Sequence, residues 1–260
     1  MGHSSYYFQL SGKRFLVDPV LSGNASPIPG TTKSFAGTDI YTTDDFPEID
    51  FLIISHDHYD HLDYKTIKEL KPKIKTVICG LGVGAHFERW GFDENQIIEL
   101  DWYDNRNLAD DFKITSTPAR HFSGRLFKRN TTLWSSYVLE SPGKKIFIGG
   151  DSGYDIHFKK IGETFGPFDW AILENGQYNE KWKYIHTLPE EFGKVVNDLN
   201  AKNIFPVHSG KFALAQHAWN EPLEKVKQNS LGKNYRLCTP MIGEKLNLDD
   251  ESQTFSEWWK

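Results

Sequence analysis

Four short apolar runs of this chain each stop at a histidine or an aspartate. Asp50-Phe-Leu-Ile-Ile-Ser55 runs into His56, and the segment from Phe112 to Arg120 runs into His121. Lys145-Ile-Phe-Ile-Gly-Gly150 runs into Asp151, and Asn203-Ile-Phe-Pro-Val207 into His208. Runs of this length and composition, bounded by turns, read as strands, the first of them apolar throughout and so buried on both faces. Polar residues at corresponding strand ends can converge on one place, and rigid strands hold them better than loops do. The other runs fit the same plan. Residues 6–10 and 14–18 read as a hairpin around Ser11-Gly12-Lys13. Strands are expected at 75–79, 96–100, 112–117, 132–140, 145–149, 168–173, 203–207 and 245–248. Helices are expected at 64–71, 84–90, 156–165, 189–199 and 212–226. Strands dominate and helices stand between them singly, which predicts an α/β arrangement of packed sheets with helices outside.

The densest chemistry lies directly after the first of these strands, in Ser55-His56-Asp57-His58-Tyr59-Asp60-His61-Leu62-Asp63. His56, His58 and Asp60 alternate, so an extended backbone puts them on one side, while His61 turns toward a neighbouring point. Imidazole and carboxylate suit zinc and related divalent ions. These residues offer more ligands than one tetrahedral ion with an open position takes, and two adjacent ions fit better. With 10 His in the chain, chance produces such a cluster in roughly one chain in a thousand. No Gly-x-Ser-x-Gly elbow is present to supply a serine nucleophile. Asp57 and Asp63 are expected to orient imidazoles or cap the helix that follows. Arg120, Arg125, Lys128 and Arg129 gather near His121, where a phosphate would meet them; a solvated charged loop explains them equally well. His3, His86, His157 and His217 read as structural or surface residues.

Composition narrows the classes. A chain of 260 residues with 38% hydrophobic and 14% aromatic residues can bury a core large enough to offset the entropy of ordering, which excludes intrinsic disorder. Its longest aliphatic runs fall far short of the ~20 residues a bilayer crossing needs. A net charge of −5 disfavours a dedicated nucleic-acid binder. Cys79 and Cys238 do not make a disulfide framework and read as buried free thiols. The start, Met1-Gly2-His3-Ser4-Ser5, is no secretory signal, so a cytoplasmic location is expected. Residues 19–47, rich in Gly, Pro, Ser and Thr, form a long loop beside the predicted site. Their Ile28, Phe35, Ile40 and Tyr41 could line an acyl-chain entrance. The adjacent Trp258 and Trp259 are expected to pack on the body.

The spacing His56-x-His58-x-Asp60-His61, followed by His121, Asp151 and His208, resembles the metallo-β-lactamase superfamily. The resemblance spans most of the chain and implies one αββα four-layer sandwich over residues 1–260. It implies that His56, His58 and His121 hold one metal, that Asp60, His61 and His208 hold a second, and that Asp151 bridges them. The implied ions are two divalent cations, zinc first, with manganese or iron(II) as alternatives. A glutamate at position 58 would mark the oxygen-reducing branch, and His58 argues against it. Neither cysteine sits where one β-lactamase class carries a cysteine ligand.

Further blocks resemble N-acylphosphatidylethanolamine-hydrolysing phospholipase D and its bacterial relatives. These are residues 56–63, Thr132-Leu-Trp-Ser-Ser136, Gly150-Asp-Ser-Gly-Tyr154, residues 161–169 and 208–215. That likeness implies a phosphodiesterase using a metal-bridging hydroxide on a lipid or small-molecule phosphodiester. Asp151 is then catalytic, and His186 and Tyr178 are candidates to bond a phosphate oxygen or protonate the leaving alkoxide. Gly2-His3-Ser4-Ser5 and Asp18-Pro19 are shared with ascorbate-6-phosphate lactonases, so a lactonase is the alternative. A silent metal- or lipid-binding module is a reading of a different class. Relatives carry residues ahead of Gly-His-Ser that complete a first strand, so the first strand is expected to be truncated here. A leader, anchor or peripheral membrane contact stays open for the same reason.

Overall fold

A computed structural model of the chain describes residues 1–28, 30–109 and 111–260. Pro29, inside the long loop, and Asp110 lie outside the described residues. The first sheet is built from β1 (Tyr6–Leu10), β2 (Lys13–Val17), β3 (Ile49–Ile53), β4 (Ile74–Gly80) and β5 (Ile97–Leu100), in that order. β1 and β2 form the expected antiparallel hairpin, and β2 to β5 run parallel. The second sheet contains β6 (Asn105–Asn107), β7 (Lys113–Pro118), β10 (Ser135–Ser141), β11 (Lys144–Ile148), β12 (Phe168–Glu174), β13 (Ala201–Val207) and β14 (Arg236–Leu237). Its order is β14-β13-β12-β11-β10-β7-β6. A separate small ribbon pairs β8 (Gly124–Arg125) with β9 (Lys128–Arg129). The helices are α1 (Tyr64–Leu70), α2 (Gly84–Arg89), α3 (His157–Phe165), α4 (Phe192–Leu199) and α5 (Glu221–Asn229).

Side-chain alternation along the strands produces four layers. On β3, Phe51 and Ile53 face a core shared with Trp170 and Ile172 of β12, between the sheets. Leu52 points the other way and packs with Ile67 and Leu70 of α1 and Phe87 of α2. On β12, Ala171 and Leu173 pack outward against Phe158 and Ile161 of α3 and Val195 and Leu199 of α4. A strand covered on both faces can be apolar throughout, and that is why these segments show no polar alternation. Helix, sheet, sheet, helix is the expected αββα sandwich. α3 and α4 touch through Gly162, where a Cβ would lie 1.8 Å from the Asp198 carbonyl oxygen, so only glycine lets the helices approach this closely. Among the described residues no helix is long and apolar enough to cross a membrane.

Two expected elements differ. The helix expected from residue 212 begins only at Glu221. The side chain of Gln177 accepts from the amides of Leu214 and Ala215 and donates to the Phe212 carbonyl. Those backbone groups are therefore spent on a side chain rather than on a helical turn. Residues 245–248 form no strand. There Gln253 donates to the Lys245 carbonyl and accepts from the Asn247 amide, while Leu246 and Leu248 pack on the inner core. Cys79 and Cys238 are buried free thiols, and Trp259 is buried as expected.

His157, at the start of α3, lies 3.0 Å from the Ser152 hydroxyl. Burial lowers its pKa to about 4, against the raising influence of Asp155. A histidine whose folded pKa is depressed contributes stability that is complete above the unfolded value of about 6.5 and is lost as pH falls toward 4. From pH 7 to pH 5 the wild type should lose about 2 kcal/mol more than His157→Asn. Urea unfolding at the two pH values measures this, and equal losses would refute it.

Candidate metal centre

The strand ends deliver their polar residues to one point. Ser55 ends the β3 segment, and its amide and hydroxyl both bond the carboxylate of Asp18, at 2.8 and 2.6 Å. The same carboxylate takes His61 Nδ1 at 2.8 Å, which aims His61 Nε2 inward. His121 donates Nδ1–H to the Ile185 carbonyl at 2.8 Å, so its Nε2 carries a bare lone pair. That Nε2 lies 3.2 Å from His58 Nδ1, which lies 2.9 Å from His56 Nε2. Donors about 2.0–2.1 Å from one tetrahedral ion stand about 3.3 Å apart, so this spacing fits a shared cation.

The second group of donors adjoins the first. Asp60 Oδ2 is 3.5 Å from both His61 Nε2 and His208 Nε2. Asp151 Oδ2 reaches both groups, at 3.2 Å from His61, 3.3 Å from His208, 3.8 Å from His121 and 4.0 Å from His56. Its other oxygen is buried without a hydrogen-bond partner, as is His61 Nε2 despite its nearby carboxylates. Buried polar atoms left unpaired in this way, facing a common centre, fit a divalent ion better than they fit each other. His56, His58 and His121 form one set of potential ligands, and Asp60, His61 and His208 fall in another with His3.

Electrostatics separates the two sets. Burial, reinforced by neighbouring imidazoles, holds His56 well below its ordinary pKa; burial does the same to His121 against the pull of Asp151. Burial opposes charge on His61 and His208 too, but there the nearby carboxylates win. His61 is raised well above its ordinary value and His208 to about 10. Burial likewise opposes charge on Asp60 and Asp151, yet the facing histidines hold both well below the carboxylate range. One side is thus a neutral imidazole set, the other a carboxylate set that demands positive charge.

Further residues complete the site. Glu174, at the end of β12, accepts from the Ser152 and Thr187 amides through Oε1. Its Oε2 lies 2.7 Å from His186 Nδ1 and 3.3 Å from His208 Nδ1. Burial disfavours the His186 cation, but the Glu174 charge and hydrogen bond raise its pKa. Gly176 follows, where a Cβ would sit 2.3 Å from the His208 carbonyl oxygen, so only glycine permits this approach of two strand ends. Glu174 had a signal in the sequence, since it ends an apolar strand just as His121 and Asp151 do.

Several expectations need correction. His3, read as structural or surface, is buried in the site. Its Nε2 lies 3.0 Å from Asp60 Oδ2, and its ring packs 4.2 Å from that of His208. Backbone bonds to Ser209 and His208 hold it there. His3→Ala should weaken metal binding about 10–100-fold while leaving the far-UV spectrum unchanged. Competition against a chromogenic chelator measures it, and unchanged affinity would remove His3 from the site. Tyr178 does not join the cluster: its hydroxyl donates to Glu221 at 2.7 Å and its ring stacks on His217. Arg125 donates through Nη1 to the carbonyls of Asp57 and Leu62, and Arg120 through Nη1 to the Tyr154 carbonyl while pairing with Asp155. Asp63 caps α1 as expected, whereas Asp57 bonds the Gly124 amide and His86 rather than a clustered imidazole.

Residues 13–209 match the beta-lactamase superfamily domain. The chain belongs to the metallo-β-lactamase superfamily. N-acyl-phosphatidylethanolamine-hydrolyzing phospholipase D 1 of Caenorhabditis elegans is 34% identical over 246 residues, 88% of this chain and 68% of the worm protein. A metal-dependent hydrolase of Caldivirga maquilingensis is 25% identical over 250 residues, 95% of this chain and 96% of its own. In architecture the chain is similar to a metallo hydrolase of Ignicoccus hospitalis, with a TM-score of 0.68 at 20% identity and 94% of each chain covered. This member of the superfamily is therefore a metal-dependent hydrolase, a family that implies divalent-metal binding.

Proposed function

We propose that the chain is a binuclear phosphodiesterase that cleaves the phosphate–alcohol bond of a lipid phosphodiester. The observation that carries this reading is Asp151, whose one carboxylate oxygen is in reach of both histidine sets. His56, His58 and His121 would hold one ion, Asp60, His61 and His208 the other, and Asp151 both. The mixed nitrogen and oxygen donors suit zinc. Two such ions, when bound, supply Lewis-acid stabilisation of phosphoryl oxygens and a water acidified toward neutral pH.

The chain's own residues do the rest. Glu174 takes Nδ1 of His186 and leaves Nε2 for a substrate oxygen. Held protonated to higher pH by that carboxylate, His186 donates its proton to the departing alkoxide. Its ring stands 5.1 Å from His121 and 5.3 Å from His208, beside the reacting atoms. The substrate class is supported by the worm relative, which by its name hydrolyses N-acyl-phosphatidylethanolamine.

The test is a panel of bis(p-nitrophenyl) phosphate, N-acyl-phosphatidylethanolamine and acylated or phosphorylated lactones, with and without chelator. Diester turnover that chelation abolishes and zinc restores is expected. Turnover surviving complete metal removal, or a preference for lactones, would overturn the proposal.

A further inference from the structure

The ribbon β8–β9 takes no part in the chemistry above, yet its tip is costly twice over. Leu126 is 77% exposed and Phe127 102%. Leu126 also has φ 57°, the left-handed region where Asn or Gly sits far more easily. Neither feature helps a folded chain in water, and adjacent exposed apolar residues on a projecting tip mark a contact surface.

The stalk beneath this tip is stiff. The Gly124 amide donates to Asp57 Oδ1 at 2.7 Å, and the Arg125 guanidinium lies 4.0 Å over Tyr59 besides its two carbonyl bonds. The stalk also borders the metal centre, since the Phe122 ring packs 4.4 Å from His58 and 4.9 Å from His121. Next to Ile185, whose carbonyl holds His121, Tyr184 is exposed. Arg120 lies 4.5 Å and Lys183 5.3 Å over its ring. On the ribbon side the ring beside His121 is the half-buried Phe122, with the Arg129 guanidinium 5.4 Å over it. Asp155 neutralises Arg120. Among the described residues Lys128 and Arg129 form no ion pair with a carboxylate, and both are exposed.

We propose that this rim docks on an anionic lipid surface. Leu126 and Phe127 enter the apolar boundary, Tyr184 sits at the interface, and Lys128 and Arg129 meet lipid phosphates. The chain as a whole carries −5, so attraction to such a surface has to be local, and a basic stalk below an apolar tip makes it so. The inference rests on the lipid-phosphodiester reading for its purpose, delivery of a membrane-borne diester to the metal centre, but not for the binding itself.

Co-sedimentation with phosphatidylcholine vesicles, with and without phosphatidylglycerol, tests it on the intact chain. Wild type should pellet with the anionic vesicles. The double substitution Leu126→Ser with Phe127→Ser should bind them at least about tenfold more weakly. Lys128→Gln with Arg129→Gln should erase the preference for anionic over neutral vesicles. All three proteins should share one rate on soluble bis(p-nitrophenyl) phosphate. Should none hydrolyse it, the diesterase reading fails while the vesicle result stands by itself. Wild type that ignores vesicles, or tip variants that bind them equally, would overturn the docking proposal. A wild-type dimer that the tip substitutions dissolve, with vesicle binding unchanged, would instead assign the tip to contact between copies.

Discussion

Asp151→Ala is expected to lower diester hydrolysis by roughly a thousandfold or more and to strip the protein of most of its metal. The magnitude follows from position. One oxygen of this carboxylate lies within 4.0 Å of His56, His61, His121 and His208. Its removal takes a negative charge from the centre and an oxygen that both histidine sets share. Asp151→Asn, which keeps the shape and loses the charge, should fall between wild type and alanine in metal content. Metal analysis by mass spectrometry, with circular dichroism to verify folding, separates a lost site from a lost fold. An Asp151→Ala protein that keeps full metal content and turnover would remove this carboxylate from the centre.

The second large effect is expected at Glu174. It is 5% exposed and accepts from two backbone amides and the His186 imidazole at once. Glu174→Ala leaves these groups buried without their acceptor, which should cost about 3–5 kcal/mol and lower Tm by about 10 °C. Glu174→Gln keeps an oxygen for the Ser152 and Thr187 amides but loses the negative charge beside His186 and His208. That variant should fold well and lose about 10–100-fold in activity.

Its pH profile carries the sharper test. Glu174 raises the pKa of His186, and a proton donor works only below its pKa. Removing the charge should therefore move the alkaline limb of kcat to lower pH. An alkaline limb that stays in place would reduce Glu174 to a structural anchor and take the proton-donor role from His186.

The elements were legible because burial on both faces leaves a plain trace. Residues 51–53, 146–148 and 170–173, the buried stretches of β3, β11 and β12, are apolar without a break. α1 starts where Asp63 accepts from the Lys65 amide and stops ahead of Pro72. The misread elements lost their signal to single side chains from outside them. Gln177 occupies the backbone of residues 212–215 across 35 to 38 positions of chain. Gln253 similarly claims the backbone around Lys245 and Asn247.

By itself the sequence determined the long buried strands of both sheets, though not the short β6, β8, β9 and β14, and that His56, His58, Asp60, His61, His121, Asp151 and His208 stand at or just beyond strand ends. Period and composition are local properties, and they report burial and position along a strand. Only the tertiary structure decided which residues surround those seven. It brought His3 onto Asp60 across 57 positions and His208 toward Asp60 across 148. It gave Glu174 to His186, and turned Tyr178 away to Glu221. A hydrogen-bond partner is set by how two sheets pack and where loops return. Those choices are made between segments far apart in the chain, and they leave no period in either one.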